Sequence, residues 1–414
     1  MIVKKYCRIA SFVFVGVLAT IGSAFAQNKA PAVSEWEAVE AAAKGQTVQW
    51  NAWGGAENIN AYIDWVGERM EELYGVSVNH VRLSDTAEAV SRVVAEKAAG
   101  RTEDGSVDLI WINGENFVAM KERGLLETPG WATDLPNWQY VDVENKPTVV
   151  TDFTVSTEGL ESPWGMAKLT FWHDTARTDE ASLPHSAKEI AAWLKDNPGR
   201  FTYPAPPDFI GSTFLKQLLV ETAPDDIDLS QPVTDESFEA ATKTMFAMLD
   251  EMRPNLWRSG QRHPENYSAM KSLLADGEVD ILFAFNPAEA SSGIAAGELP
   301  ESVRPLTFPA GTLGNSHFVA IPFNAANREG ALLLANFLIS PEAQIRKENP
   351  DIWGDPTVLD VARLPEEDRA SFEALPLGPA TPSPAETGPV IAEPHATWQE
   401  RLEEEWEERY VVGG

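Results

Sequence analysis

Cysteine is almost absent from this chain of 414 residues. The single cysteine, Cys7, lies in segment 1–26, whose basic head, apolar run and Ala-Phe-Ala end are typical of a secretory signal peptide with cleavage after Ala26. Cys7 precedes the apolar run instead of following it, so a lipid-anchored form is not predicted. We expect a periplasmic chain without disulfides, whose fold depends on its core alone.

Long apolar runs and basic residues are also scarce. Beyond the signal peptide, no stretch approaches the roughly 20 apolar residues that a membrane-spanning helix needs. The chain has 32 lysines and arginines against 63 aspartates and glutamates, a net charge of -31, and it becomes -34 when Lys4, Lys5 and Arg8 leave with the signal peptide. Nucleic acid is not an expected partner, because its binding needs a basic surface.

The common catalytic and nucleotide-binding motifs are missing as well. The sequence contains no Gly-x-Ser-x-Gly, His-Glu-x-x-His, Gly-x-x-x-x-Gly-Lys-Ser/Thr or Gly-x-Gly-x-x-Gly. Its six histidines are scattered and none forms a local pair of ligands, so neither a metal site nor a cofactor is predicted. An enzyme is therefore not expected. A secreted hydrolase with carboxylates assembled from distant segments stays open as the alternative.

What the sequence does contain is a regular alternation of strands and helices. Apolar strands are predicted at 47–53, 76–83 and 106–113, and the helices between them end at Gly75 and Gly100. Such alternation predicts an α/β fold with parallel sheets covered by helices.

A partial internal repeat predicts a second lobe of the same kind. Residues 104–115 and 276–289 both open with Asp-Gly-x-Val-Asp, continue as an apolar strand and reach an asparagine before a helix. Near the C-terminus, apolar residues recur at every fourth position: Trp398, Leu402, Trp406 and Tyr410. We interpret them as one face of a helix that docks on a lobe. Binding of a partner helix to this face is the less favoured interpretation.

Several strings resemble a known family. "NFLISPEAQ" is typical of the extracellular solute-binding proteins of ABC importers, family 1, and "NAWGG", "GRFTYPAPPDF" and "IWINGENF" resemble the YnjB-type subgroup. The resemblance covers essentially the whole mature chain. It implies the type II periplasmic-binding-protein fold, in which two α/β lobes joined by a hinge enclose a ligand cleft. It also implies a monomer that delivers a small solute to a membrane permease driven by an ATPase; a chemosensory binding protein would have the same sequence features.

The family resemblance also implies a division of the chain. The first lobe is expected to contain 46–160 and 308–348, and the second lobe 161–307 and 349–414. Ligands of open α/β sheets bind outside the carboxyl ends of strands, beside helix N-termini. Candidate contacts at such edges are Trp53, Gly54, Gly55, Glu57, Asn113, Gly114, Glu115, Trp164, Asp208, Phe209, Gly211, Ser212, Thr213, Asn286, Glu289 and Asn315. The two glycines after Trp53 could equally form only a tight turn. Asn286, which Pro287 follows, could equally form an Asx turn without a ligand role, and Trp50, inside the predicted strand, is expected in the core.

The residue types at these edges favour a cation as the ligand. Acids beside aromatic rings suit an organic cation such as a thiamine-like or polyamine-like molecule. A neutral sugar ranks second, and an oxyanion at 210–213 ranks third because the nearby acids would repel it. Acids near helix starts also suit the helix dipole without any ligand. Iron is disfavoured, because ferric-ion binders of this fold commonly use a tyrosine pair and no two tyrosines are adjacent here.

Overall fold

The computed structural model describes residues 30–382, 386 and 388–412. The predicted signal peptide and its cleavage site lie outside the described residues. Within the described part of the chain, no helix combines the length and the apolar character that crossing a membrane requires.

Thirteen α-helices and eleven strands make up the described chain. The helices are α1 Trp36–Ala43, α2 Glu57–Tyr74, α3 Ala87–Ala98, α4 Glu115–Glu122, α5 Ala187–Asp196, α6 Phe209–Thr222, α7 Asp235–Met252, α8 Tyr267–Ala275, α9 Glu289–Ala295, α10 Arg328–Leu338, α11 Pro341–Glu348, α12 Glu366–Glu373 and α13 Ala396–Glu407. The strands are β1 Thr47–Trp53, β2 Ser77–Leu83, β3 Leu109–Ile112, β4 Thr151–Asp152, β5 Val155–Ser156, β6 Glu161–Lys168, β7 Thr170–Asp174, β8 Ile281–Ala284, β9 Val303–Leu306, β10 Thr312–Ala320 and β11 Val390–Ala392.

The larger sheet has the strand order β11-β10-β3-β1-β2, and β6 also pairs with β10. β1 runs parallel to β2 and β3, as the alternation of strands and helices predicts. β10 runs antiparallel to β3 and β6, so the expectation of purely parallel sheets is wrong here. Along the chain, β10 comes after β9, which belongs to the smaller sheet. Its direction is therefore not set by a crossover helix from a neighbouring strand of the larger sheet, the connection that makes two strands parallel.

The smaller sheet has the order β8-β7-β9, and β7 is antiparallel to both neighbours. Only Leu169 separates β6 from β7, so one nearly continuous strand passes from the larger sheet to the smaller one. Near the C-terminus, the short strand β11 pairs in parallel with β10 at the edge of the larger sheet.

Separate hydrophobic clusters cover the two sheets. One cluster surrounds β1, α2 and α10, another covers the opposite face of the larger sheet, and a third surrounds β7, α5 and α6. The apolar stripe of α13 packs into the third cluster, which agrees with docking on a lobe. Buried residues of 353–372 pack in the first cluster instead. The sequence assigned 349–414 to the second lobe, and we propose that 353–372 belongs to the first.

Helix α6 packs very closely against the extended segment before it. Asp208 caps the helix by accepting hydrogen bonds from the amides of Ile210 and Gly211, at 3.0 and 3.2 Å. A Cβ at Gly211 would overlap the carbonyl oxygen of Pro204. The helix can approach this carbonyl only because residue 211 has no side chain.

Replacing Gly211 by alanine should therefore destabilise the protein. We expect the free energy of unfolding to fall by about 1–3 kcal/mol, the usual cost of overpacking a rigid core. Gly67→Ala is the matched control: it lies inside α2, where a Cβ would make an ordinary 3.6 Å contact with Val78, and alanine favours helix by about 1 kcal/mol. Chemical denaturation of both variants checks this, and equal stabilities would contradict it.

Candidate ligand-binding cleft

A cleft of about 520 Å³ lies where strand ends of the two sheets face each other. Nine of the predicted contacts line it: Trp53, Gly54, Gly55, Asn113, Glu115, Asp208, Phe209, Asn286 and Glu289. They lie at or just after the ends of β1, β3 and β8, or at the starts of α4, α6 and α9, where the rule about carboxyl ends of strands places ligand contacts.

The two glycines after β1 are required by packing within this wall of the cleft. A Cβ at Gly54 would lie 2.6 Å from the Cβ of Arg82, and a Cβ at Gly55 would overlap the indole ring of Trp53. Packing therefore explains both glycines, although the segment also lines the cleft. Trp50, expected in the core, is completely buried.

Four predicted contacts lie outside the cleft, three of them buried in contacts with other elements and one exposed on another surface. Gly114 is buried, donates its N–H to Asp152 at 2.7 Å, and has Phe153 where a Cβ would be. Trp164 is completely buried beneath the rings that do reach the cleft. Asn315 donates its amide to the buried Glu393 at 3.1 Å. Glu57 begins α2 on an exposed surface.

Three further residues of α6, Gly211, Ser212 and Thr213, do not line the cleft, although Phe209 at the start of the same helix does. The Ser212 hydroxyl donates to Glu403 at 2.6 Å, and the Thr213 hydroxyl donates to the carbonyl oxygen of Phe209 at 2.7 Å. Because Asp208 already accepts the amides of residues 210 and 211, this helix start offers an oxyanion few free donors. These contacts disfavour the oxyanion site predicted at 210–213.

Several lining residues were not predicted from the sequence, among them Arg82, Trp111, Tyr267, His317, Trp353 and Asp355. Trp111 stands inside the predicted strand 106–113, two residues before the predicted Asn113, so the strand itself offered a signal. The string "DIWGD" at 351–355 has no pattern that marks it as part of a site.

Aromatic rings form the floor of the cleft. The ring centroids of Trp111 and Trp353 are 5.8 Å apart, and both pack on the buried Trp164, at 4.9 and 5.3 Å. The His317 imidazole lies 5.3 Å from the Trp111 ring. Such a floor presents flat apolar faces to a ligand, and faces of this kind favour a cation or a sugar ring.

A buried ion pair supports this floor from below. Lys347 Nζ lies 2.5 Å from Asp355 Oδ2, and His317 Nε2 lies 2.9 Å from Asp355 Oδ1. Burial works to raise the pKa of Asp355, but the charges of Lys347 and His317 outweigh it and hold this pKa below its ordinary value. Burial lowers the pKa of Lys347, and Asp355 opposes that shift. Asp355 is therefore a carboxylate whose oxygens are already engaged.

Three of the acids that line the cleft are largely desolvated. Burial raises the pKa of Glu115 to about 7, and it also raises the pKa values of Asp208 and Glu289. Lys271 partly offsets the shift of Glu289, with its Nζ 3.8 Å from the carboxylate. A positive charge in the cleft would stabilise the ionised form of each of these acids.

Asn286 has a structural role that the sequence left open. Its Oδ1 accepts the N–H of Ala288 at 2.9 Å, and its Nδ2 donates to the carbonyl oxygen of Trp353 at 3.0 Å. The first bond forms the Asx turn that was the alternative interpretation. The second holds the start of α9 against the aromatic floor. Within the described residues, no group of three or more histidine, cysteine, aspartate or glutamate side chains could hold a metal ion.

Comparison with known proteins agrees with this architecture. Protein YnjB of Escherichia coli K12 is 46% identical over 378 residues, which is 91% of this chain and 94% of that protein. A putative spermidine/putrescine ABC transporter protein of Listeria monocytogenes has a TM-score of 0.61 at 16% identity, covering 89% of this chain and 99% of that one. The periplasmic binding protein AfuA of Actinobacillus pleuropneumoniae, with bound fructose-6-phosphate, has a TM-score of 0.60 at 14% identity and the same coverage.

These similarities confirm the predicted fold class, the type II periplasmic-binding-protein fold. The family model described as bacterial extracellular solute-binding protein matches residues 65–372, three quarters of the chain. The chain therefore belongs to the bacterial extracellular solute-binding protein family, and within it to the YnjB-type subgroup that its sequence resembles.

Proposed function

We propose that this protein is the periplasmic receptor of an ABC importer, that it captures a small organic cation by closing two lobes, and that it passes the cation to a membrane permease. The observation that carries the proposal is the combination of aromatic faces and acids in one cleft. Trp53, Trp111, Tyr267 and Trp353 line it together with Asp85, Glu115, Asp208, Glu289 and Asp355. We further propose that the receptor acts as a monomer and catalyses no reaction.

Electrostatics favour the cation over the other ligand classes. Five acids line the cleft, and Lys347 and Lys271 compensate two of them, Asp355 and Glu289. Asp85, Glu115 and Asp208 then face the single arginine, so an excess of negative charge remains. An aromatic face over a cation adds about 0.5–2 kcal/mol, and more when water is excluded. The fold itself does not discriminate, because proteins of this architecture include one named for spermidine/putrescine and one holding fructose-6-phosphate. A neutral sugar remains the second candidate, supported by the same aromatic floor.

The hydrolase alternative gains no support from the carboxylates of the cleft. Asp208 caps α6, Asp355 is bonded to Lys347 and His317, and Glu289 is paired with Lys271. An acid–base pair for hydrolysis needs two carboxyl groups free to face a substrate. We therefore propose binding and release without turnover.

Closure is supported by contacts between residues that the predicted division assigns to different lobes. The Ser268 hydroxyl at the start of α8 lies 3.4 Å from the carbonyl oxygen of Gly55, and the Thr154 hydroxyl lies 3.3 Å from the carbonyl oxygen of Ser230. Both contacts are long and exposed, so they contribute little by themselves. A ligand that touches both walls would supply the remaining free energy of closure.

The ligand class can be tested with a thermal-shift panel of choline, spermidine, thiamine, glucose, sulfate and phosphate. At about 100 times its Kd, a ligand adds about 2.7 kcal/mol, enough to raise the unfolding midpoint by several degrees. We expect the largest rise with an organic cation and a smaller radius of gyration by X-ray scattering in its presence. A rise with sulfate or phosphate alone would refute the cation, and an unchanged radius at saturation would refute closure.

Cation affinity should depend on pH through Glu115. Its pKa of about 7 means that the side chain is neutral below this pH and negative above it. Affinity for a quaternary ammonium compound such as choline, whose charge is constant, should rise several-fold between about pH 6 and 8. Glu115→Gln should remove this rise, whereas Glu57→Gln, on the exposed surface outside the cleft, should retain it. Calorimetric titration at both pH values provides the measurement, and a rise retained in Glu115→Gln would assign the dependence elsewhere.

Export can be tested independently of the ligand. We propose that the full chain enters the periplasm and is cleaved after Ala26, so that the mature protein begins at Gln27. Mass spectrometry of protein recovered from the periplasm of a Gram-negative host should find this N-terminus. Recovery of the intact chain, or of a different N-terminus, would be the contrary result.

A further inference from the structure

Arg82 differs from every acid that lines the cleft. Asp85 accepts the N–H of Ala87 at 2.7 Å, and Glu115 accepts the side-chain amide of Asn116 at 3.2 Å. The other three acids are held by a helix start or by lysine, as described above. Arg82 alone among these charged side chains has no hydrogen bond or ion pair with any described residue. The acids are thus partly committed to the fold, whereas the guanidinium is fully available to a ligand.

The position of Arg82 is fixed by strand pairing. β1 and β2 run parallel with Ala52 beside Arg82, so both strands end at the same edge of the sheet. The stem of Arg82 lies on the backbone of Gly54, where a Cβ would be 3.0 Å from its Cγ. The absence of a side chain at residue 54 lets the arginine lie along the wall of the cleft, and Arg82 is exposed.

The opposite wall at this point is the start of α8. Ser268 contacts the carbonyl oxygen of Gly55, the residue next to the one that carries the Arg82 stem. Asn266 caps α8 by accepting only the amide of Ala269, at 3.0 Å. The amides of Tyr267 and Ser268 therefore remain as donors at the positive end of the helix. Arg82 and these amides form a donor-rich end of the cleft, separate from the aromatic floor around Trp353.

We propose that the ligand is bipolar: it carries, besides its cationic group, an anionic carboxylate or phosphate group that Arg82 binds. This inference rests on the proposed function, because it adds a second group to the proposed cation. The planar guanidinium matches carboxylate and phosphate with two parallel hydrogen bonds. The cationic group then lies over the aromatic floor beside Glu115, and the anionic group lies between Arg82 and α8.

Matched pairs of compounds test this assignment. Choline and glycine betaine differ by a carboxylate in place of a hydroxymethyl group, choline and phosphocholine by a phosphate, and putrescine and 4-aminobutyrate by a carboxylate in place of an aminomethyl group. Calorimetric titration of each pair against the wild-type protein should find at least one bipolar compound bound at least ten times more tightly than its cationic partner.

Three variants assign the preference to Arg82. Arg82→Gln should reduce the ratio of affinities within the pair to near one, and Arg82→Lys should retain part of it, because the charge stays and the bidentate geometry is lost. Arg363→Gln, which removes another exposed arginine that lies outside the cleft, should leave the ratio unchanged. Circular dichroism and the unfolding midpoint verify that the variants fold.

The possible results separate this inference from the proposed function. If cations bind at least as tightly as their bipolar partners, or if Arg82→Gln leaves the preference intact, the inference is wrong and the cation receptor stands. If no compound of the panel binds, the proposed cation receptor is rejected together with the inference that rests on it.

Discussion

The ion pair between Lys347 and Asp355 is the constraint around which the cleft is built. Both side chains are completely buried, and His317 bonds the second oxygen of Asp355 at 2.9 Å. The pair joins α11, the loop after it and β10. β6 passes directly over it at Gly165, where a Cβ would overlap both charged groups. Removing one partner of a buried pair typically costs about 3–5 kcal/mol, because the other charge is left uncompensated.

The aromatic floor follows from this arrangement. Trp164 follows Pro163 on β6, one residue before Gly165, and the Lys347 ammonium lies 5.5 Å from the rings of both Trp164 and Trp353. Gln344 donates to the carbonyl oxygens of Trp164 and Leu338, each at 2.7 Å, which fixes the crossing strand to α11. The floor is therefore rigid. In the proposed closure, the two walls would move about the strand connection at Leu169 and the return through β10.

The sequence predicted the three parallel strands of the larger sheet and those cleft residues that lie at or just after the end of a strand, because both depend on local patterns. Trp53, Asn113 and Glu115 lie at the cleft for this reason. His317 and Asp355 could not be predicted, since each comes from a returning segment whose place depends on long-range packing. The antiparallel direction of β10 has the same origin. Trp164 was predicted to contact the ligand, but it is buried beneath the cleft. A tryptophan in a strand can support a site from below as well as line it, and the sequence does not distinguish the two positions.

The charge available to a ligand also could not be read from the sequence. The acidic strings near the strand ends suggested a purely negative site, but hydrogen bonding commits Asp85 and Asp208 to helix starts. Arg82 belongs to none of those strings and reaches the cleft only because β2 pairs in parallel with β1, next to a residue without a side chain. Strand register therefore changes the chemistry of this cleft as much as composition does. A cleft in an acidic protein can thus recognise an anionic group wherever its acids are occupied and an arginine is not.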